Sequence, residues 1–189
     1  MAPKTKSISE FAIGIDPGLQ GAIVMIERRP KGFALSHVAP MPLTKDESEI
    51  AVRSLVALLQ KLGPKSVTIE KAVACAFSFR GRNGKPAGRQ SVASGFTCGL
   101  NFGRITGALD LVGFPTRLVT PRAWTHVIHK GFIGESKEKS LAAFGKLCTP
   151  GSQGLAILPR CRVLHNGVID AALIAYWGMI FDRILGEDL

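Results

Sequence analysis

The stretch Phe11-Ala-Ile-Gly-Ile-Asp16-Pro-Gly18, continued by Leu19-Gln20 and then Gly21-Ala-Ile-Val-Met-Ile26, decides how the rest of the chain is read. Phe11 to Ile15 is an apolar run of strand length bounded by turn residues. Pro17 has a fixed φ and Gly18 tolerates turn angles, so the strand stops there. A second apolar run begins at Gly21. Asp16 therefore stands where a strand leaves the core, held by the stiffest part of a sheet yet able to face solvent. Such an Asp is either a turn cap or, given partners of its own kind, a metal ligand.

Working outward, Phe33 to Val38 reads as a third strand that completes a meander. From Asp46 to Leu62 the apolar residues Val52, Leu55, Val56, Leu59 and Leu62 fall at helical spacing, with Asp46, Glu47 and Glu49 expected near the helix start, where the dipole favours anions. Gly63-Pro64 ends that helix. Ser66 to Glu70 is a short strand that also ends on a carboxylate. Ser91 to Val112 is helical in pattern, with Gly95, Gly99, Gly103 and Gly107 in a stripe on one face. Each interior Gly costs a helix about 1 kcal/mol relative to Ala, so the stripe predicts close approach by the sheet, a second subunit or a DNA backbone. Pro115 to Val119 is a strand, and Thr120-Pro121 starts a helix as N-cap and first residue. Glu135 to Leu147 is a charged amphipathic helix, Thr149 to Pro159 a loop, and Asn166 to Leu185 a mostly apolar helix with Asp170 expected in its first turn. Five strands and interleaved helices in this order predict an α/β fold, a five-stranded mixed sheet flanked by helices.

The 189 residues suit one domain with a full core, here 11–189, preceded by a flexible basic tail over 1–10. No apolar run of about 18 residues exists, and the tail lacks the apolar segment of a signal peptide, so the expected location is the cytoplasm. Cys75, Cys98, Cys148 and Cys161 show no metal-site spacing and read as buried thiols. A net charge of +10 predicts a polyanionic partner, nucleic acid foremost. Arg80, Arg82, Lys85 and Arg89 lie in a Gly/Pro-rich loop that either grips phosphates or is merely solvated. Phe77 and Phe79 either stack on an unpaired base or pack in a core or dimer contact. Lys130, Lys137 and Lys139 either bind DNA and offset charge on a scissile phosphate or are solvated helix lysines. His126 and His129 read as structural or DNA-facing, and Trp124 as core.

Three acids share one kind of position. Asp16 ends the first strand, Glu70 ends the fourth, and Asp170 opens the last helix. Adjacent strand ends with a helix N-terminus docked over them can bring such groups together. The cluster repels itself without metal and raises at least one pKa. Mg²⁺ or Mn²⁺, hard cations with a preference for oxygen ligands, relieves it. Two such ions about 4 Å apart can drive phosphodiester cleavage.

With those residues in place, the chain resembles the RuvC-type Holliday junction resolvases of the RNase H-like superfamily, in particular divergent phage-type members, from Ile13 to about Trp177. The resemblance is carried by Gly14-Ile-Asp16-Pro-Gly18 with Gly21, Ile69-Glu70-Lys71, Gln90-Ser-Val-Ala-Ser-Gly-Phe96, Asn101-Phe-Gly103 with Gly107, Val119-Thr-Pro-Arg-Ala-Trp124, Lys137-Glu-Lys-Ser140 and Asp170-Ala-Ala-Leu-Ile-Ala175. It implies an RNase H-like fold and a homodimeric, metal-dependent endonuclease, with two Mg²⁺ replaceable by Mn²⁺. Its substrate would be a four-way DNA junction, cut by paired symmetric nicks that leave 5′-phosphate and 3′-hydroxyl ends, in a bacterial host cytoplasm for a phage-encoded enzyme. Asp16, Glu70 and Asp170 fall on the family's metal-binding acids. The family's fourth ligand, an Asp or sometimes a His, shortly precedes the last Asp; here the residues are His165-Asn166-Gly167. Gly167 cannot ligate, which leaves His165 or Asn166 for that role, with a helix-entry or core histidine as the other reading of His165. The alternatives are a debranching or RNA–DNA hybrid nuclease on the same fold, and a junction-binding protein with weakened cleavage. An actin-like ATPase, which also opens on a Gly-x-Asp-x-Gly turn, needs two such domains.

Overall fold

The computed structural model describes residues 10–71, 79–80, 86–87, 92–159 and 163–187. The main sheet has five strands in the order β3-β2-β1-β4-β7. They are β1 (Phe11–Ile15), β2 (Ala22–Arg29), β3 (Gly32–Pro40), β4 (Val67–Glu70) and β7 (Thr116–Val119). The pairs β1–β2 and β2–β3 are antiparallel, while β1–β4 and β4–β7 are parallel. Two short strands, β5 (Phe79–Arg80) and β6 (Pro86–Ala87), pair antiparallel with each other. The helices are α1 (Val52–Leu62), α2 (Val92–Leu111), α3 (Pro121–Ile128), α4 (Ser136–Leu147), α5 (Pro150–Gln153) and α6 (Asn166–Glu187).

Alternation along the strands divides the core in two, because successive side chains leave opposite faces. On one face Ile13, Ile15, Ile23, Val67 and Ile69 pack with Leu55 and Leu59 of α1 and Ile105 and Leu109 of α2. On the other, Val24, Ile26, Phe33 and Leu35 meet α4 and α6 through Phe144, Ala171, Ala172 and Ala175. Gly14 of β1 is the point of closest approach on that second face. A Cβ there would overlap the Ala171 carbonyl and the Ala175 backbone nitrogen, so the glycine is what lets α6 lie directly on β1.

The elements follow the sequence reading except at the β5–β6 pair, where a loop is expected, and in four further places. The acids expected at the start of α1 lie outside it. The Asp46 carboxylate accepts from the hydroxyls of Thr44 and Ser48, and Glu47 has a positive φ of 57°, so these residues form a turn and the helix begins at Val52. The loop over 149–159 contains α5 and a short 3₁₀ turn, Gly154–Ala156. α6 begins at Asn166, which puts Asp170 one turn in rather than in the first turn. The glycine stripe of α2 does not face the sheet, since a Cβ on Gly95, Gly99, Gly103 or Gly107 would meet nothing within 4 Å among the described residues. The α3 start is as expected: Thr120 caps it by accepting from the Ala123 amide at 3.3 Å, with Pro121 following.

Candidate metal centre

β1 and β4 run side by side in parallel, with Ile15 paired to Ile69. The next residues in each, Asp16 and Glu70, therefore leave the sheet at the same end. The Asp16 turn is closed by its own backbone, Asp16 N–H to Ala22 O at 3.1 Å and Gly21 N–H to Gly18 O at 2.9 Å. The Gly18 amide also donates to Asp16 Oδ1 at 3.3 Å. The Gly14–Ala171 contact fixes α6 over β1, and Asp170, one residue before Ala171, is near enough to feel the Asp16 charge.

The three acids act on one another electrostatically. Burial raises the Asp16 pKa, opposed by the Gly18 amide and by nearby His165. Burial pushes Glu70 up to about 7; the Trp124 hydrogen bond opposes this, while the charges of Asp16 and Asp170 add to it. Burial likewise pushes Asp170 up to about 6, with the Ser140 hydrogen bond and Lys137 opposing and Asp16 adding. Glu70 and Asp170 thus each feel Asp16, as expected of carboxylates sharing a small, partly desolvated space. Among the described residues, no three His, Cys, Asp or Glu side chains stand close enough to hold an ion without moving.

His165 immediately precedes α6. It is half-buried, and its Nδ1 is buried with no hydrogen-bond partner among the described residues. Asn166, the first residue of α6, is exposed. Gly167 is buried against the β1–β2 turn, where a Cβ would stand 2.5 Å from the Gln20 carbonyl oxygen and 3.0 Å from the Gly21 Cα. No side chain fits there as the backbones now lie.

Lys137 is exposed on α4, and its charge acts on Asp170. Lys130 and Lys139 line an open depression of about 410 Å³ together with Arg122, Thr125, His126 and His129. Arg80 lies in β5, with its side chain outside the described part. Arg82, Lys85, Arg89 and Phe77 lie outside the described residues.

Two contacts of the carboxylates were not read from the sequence. Trp124 is 4% exposed, so it is core as expected, but its Nε1–H also donates to Glu70 Oε2 at 2.5 Å. Ser140, 6% exposed, holds the Asp170 pKa down and lies 3.1 Å from His129 Nε2. The available signal was the indole itself, since a buried Trp N–H usually finds an acceptor. Ser140 stands in the sequence only as the last residue of the Lys137-Glu-Lys-Ser140 motif, with no role read for it.

No protein-family model and no curated protein matches the sequence. Among solved structures, Thermus thermophilus RuvC in complex with Holliday junction substrate superposes with a TM-score of 0.61 at 18% identity, covering 94% of this chain and 98% of that one. A second Thermus thermophilus RuvC structure gives 0.60 at 20% identity, with 93% and 97% covered. The yeast mitochondrial Holliday junction resolvase Ydc2 gives 0.57 at 12% identity, with 98% and 88% covered. At these identities the likeness is one of fold: the chain has the RNase H-like α/β fold in the form found in RuvC-type Holliday junction resolvases.

Proposed function

We propose that the protein is a metal-dependent endodeoxyribonuclease that resolves four-way DNA junctions by paired symmetric nicks, leaving 5′-phosphate and 3′-hydroxyl ends. The observation that supports this reading is that Asp16, Glu70 and Asp170, from three separate elements, act on one another electrostatically in a fold shared with a RuvC solved on its junction substrate.

The residues suit a hard divalent cation. Three partly buried carboxylates offer oxygen ligands, their mutual repulsion would be relieved by an ion, and the buried His165 Nδ1, near Asp16, has no hydrogen-bond partner among the described residues. Asp16, Glu70 and Asp170 would hold Mg²⁺, with Mn²⁺ as substitute, and His165 or Asn166 would complete the set. Two bound ions would activate a water and stabilise the leaving 3′-oxygen. Lys137, whose charge already acts on Asp170, would offset negative charge of the scissile phosphate. The depression around Lys130 and Lys139 would take flanking backbone, and so would the segment bearing Arg80, Arg82, Lys85 and Arg89.

Paired nicks need two sites, hence a homodimer of domains spanning 11–189. The exposed side of α2 favours that assembly. Phe96 is 70% exposed and Leu100 42%, beside the open glycine stripe, and a helix apolar on all sides is normally covered.

The test is cleavage of a synthetic four-way junction beside linear duplex and an RNA–DNA hybrid, in Mg²⁺, Mn²⁺ or chelator. Metal-dependent paired nicks on the junction alone are expected. Preferential cutting of the hybrid would replace the proposal with the hybrid-nuclease reading. Tight junction binding without cutting would replace it with the junction-binding reading.

A further inference from the structure

Trp124, which donates to Glu70, and Ser140, which holds down the Asp170 pKa, lie within residues 120–140 and both meet His129. The Trp124 and His129 rings pack edge to face, with centroids 5.5 Å apart and planes at 78°. His129 Nε2 lies 3.1 Å from Ser140 Oγ. His129 itself is fixed as the C-cap of α3, its amide donating to Thr125 O at 2.8 Å. A buried serine hydroxyl has one proton to give and lone pairs to accept with. The His129 ring and the Ser140 hydroxyl can each donate in this contact, and Ser140 in turn acts on Asp170 by holding its pKa down. At the other end, the indole N–H donates to one oxygen of Glu70, Oε2, and the second has no hydrogen-bond partner among the described residues.

We propose that Trp124, His129 and Ser140 are positioning residues of the carboxylate site: as one packed unit on the α3–α4 pair they orient Glu70 from β4 and Asp170 from α6, so that both present an oxygen to the same divalent cation. The inference rests on the metal-site reading above. It gives the carboxylates what the chain must supply before an ion arrives, since partners behind metal ligands fix their orientation and their loss typically costs about 10–100-fold in metal affinity or activity.

The experiment is Mn²⁺ binding by titration calorimetry, with the metal-free Tm of each variant measured alongside. The chains compared are the unaltered protein, Trp124→Phe, His129→Leu, His129→Gln and Asp16→Asn. Trp124→Phe keeps an aromatic ring and removes the donor. His129→Leu keeps bulk and removes the link to Ser140, whereas the His129→Gln amide can still donate to it. Trp124→Phe and His129→Leu are expected to bind Mn²⁺ about 10–100-fold more weakly, with His129→Gln recovering most of the loss. A purely structural role predicts a lower Tm with unchanged affinity in the folded protein. Affinity of folded His129→Leu within about twofold of the unaltered chain overturns the proposal, far below the loss expected for such a partner. Because His129 is only half-buried, that variant decides the matter even if Trp124→Phe does not fold. If the unaltered chain binds no Mn²⁺, the metal-site reading falls and this inference with it. If the unaltered chain binds and Asp16→Asn does not, the metal site stands whatever the His129 variants show.

Discussion

Gly167 lies against the backbone of Gln20 so closely that a Cβ on it would stand 2.5 Å from the Gln20 carbonyl oxygen. The contact seats the start of α6 against the turn that carries Asp16. It also makes the residue one turn before Asp170 a packing position. Gly167→Ala is expected to lower stability by about 1–3 kcal/mol, the usual cost of forcing extra volume into a packed site. Gly167→Asp is expected to do the same without tightening Mn²⁺ binding. Urea denaturation and titration calorimetry check both, and tighter binding in Gly167→Asp would show that the turn yields and that the position can serve as a ligand.

Asp16 is positioned by its own turn, with the Gly18 amide on Oδ1. Asp16→Asn keeps the shape and removes the charge. Cleavage is expected to disappear while junction binding stays the same or tightens, because one negative charge near phosphate is gone. Single-turnover cleavage and a gel-shift titration on the same junction separate the two effects. Normal cleavage by this variant would remove Asp16 from the metal set.

The raised carboxylates also fix the sign of a pH effect on the metal-free protein. Glu70 titrates near 7 when folded against an ordinary 4.5, so between those values the folded state binds more protons than the unfolded chain. Stability then falls as pH rises through that window, by at most about 1.4 kcal/mol for each pH step of one, and by less where solvent screens the site. Asp170, near 6, adds in the same direction. The metal-free Tm is expected to fall from pH 5 to pH 8 relative to Glu70→Gln, and saturating Mg²⁺ is expected to abolish the difference. Parallel Tm profiles for the two chains without metal would contradict a buried, charge-strained Glu70.

How much of this was legible in the sequence depended on range. Alternation and turn chemistry are local, so Phe11–Ile15, the Asp16 turn and the Thr120-Pro121 helix start could be read residue by residue. Asp16 and Glu70 stand at strand ends as the turn residues around them imply, whereas Asp170 lies one turn into α6. The α1 start could not be fixed, because Asp46 prefers a turn with Thr44 and Ser48 to the first turn of a helix, and composition alone does not distinguish the two. The bond from Trp124 to Glu70 spans 54 residues and depends on how α3 sits beside β4. The reason for Gly167 was equally hidden, since it lies in the backbone of a turn nearly the length of the chain away.

The exposed face of α2 leads to a prediction about assembly. Leu100→Glu places a charge on a face that already shows Phe96 and the glycine stripe to solvent. If that face joins two copies, the unaltered protein sediments as a dimer and Leu100→Glu as a folded monomer, since burying an unpaired carboxylate is costly. The monomer would also lose paired nicking in favour of single nicks. Sedimentation equilibrium of both proteins gives the answer, and a dimer that survives the substitution would move the interface elsewhere.

Arg122 and Lys130 both line the depression beside α3, close to His126. Neither touches the carboxylates, so they separate DNA grip from chemistry. If each contacts one phosphate, replacing both with Ala removes two released counterions, and the slope of log affinity against log salt should become shallower by about 2. Affinity at low salt should fall together for junctions of different sequence, because phosphate contacts carry no base information. Cleavage at saturating DNA should change little. Junction titrations across a range of salt read the slope directly; an unchanged slope would mean that the depression stays solvated in the complex and that DNA approaches the carboxylates from another side.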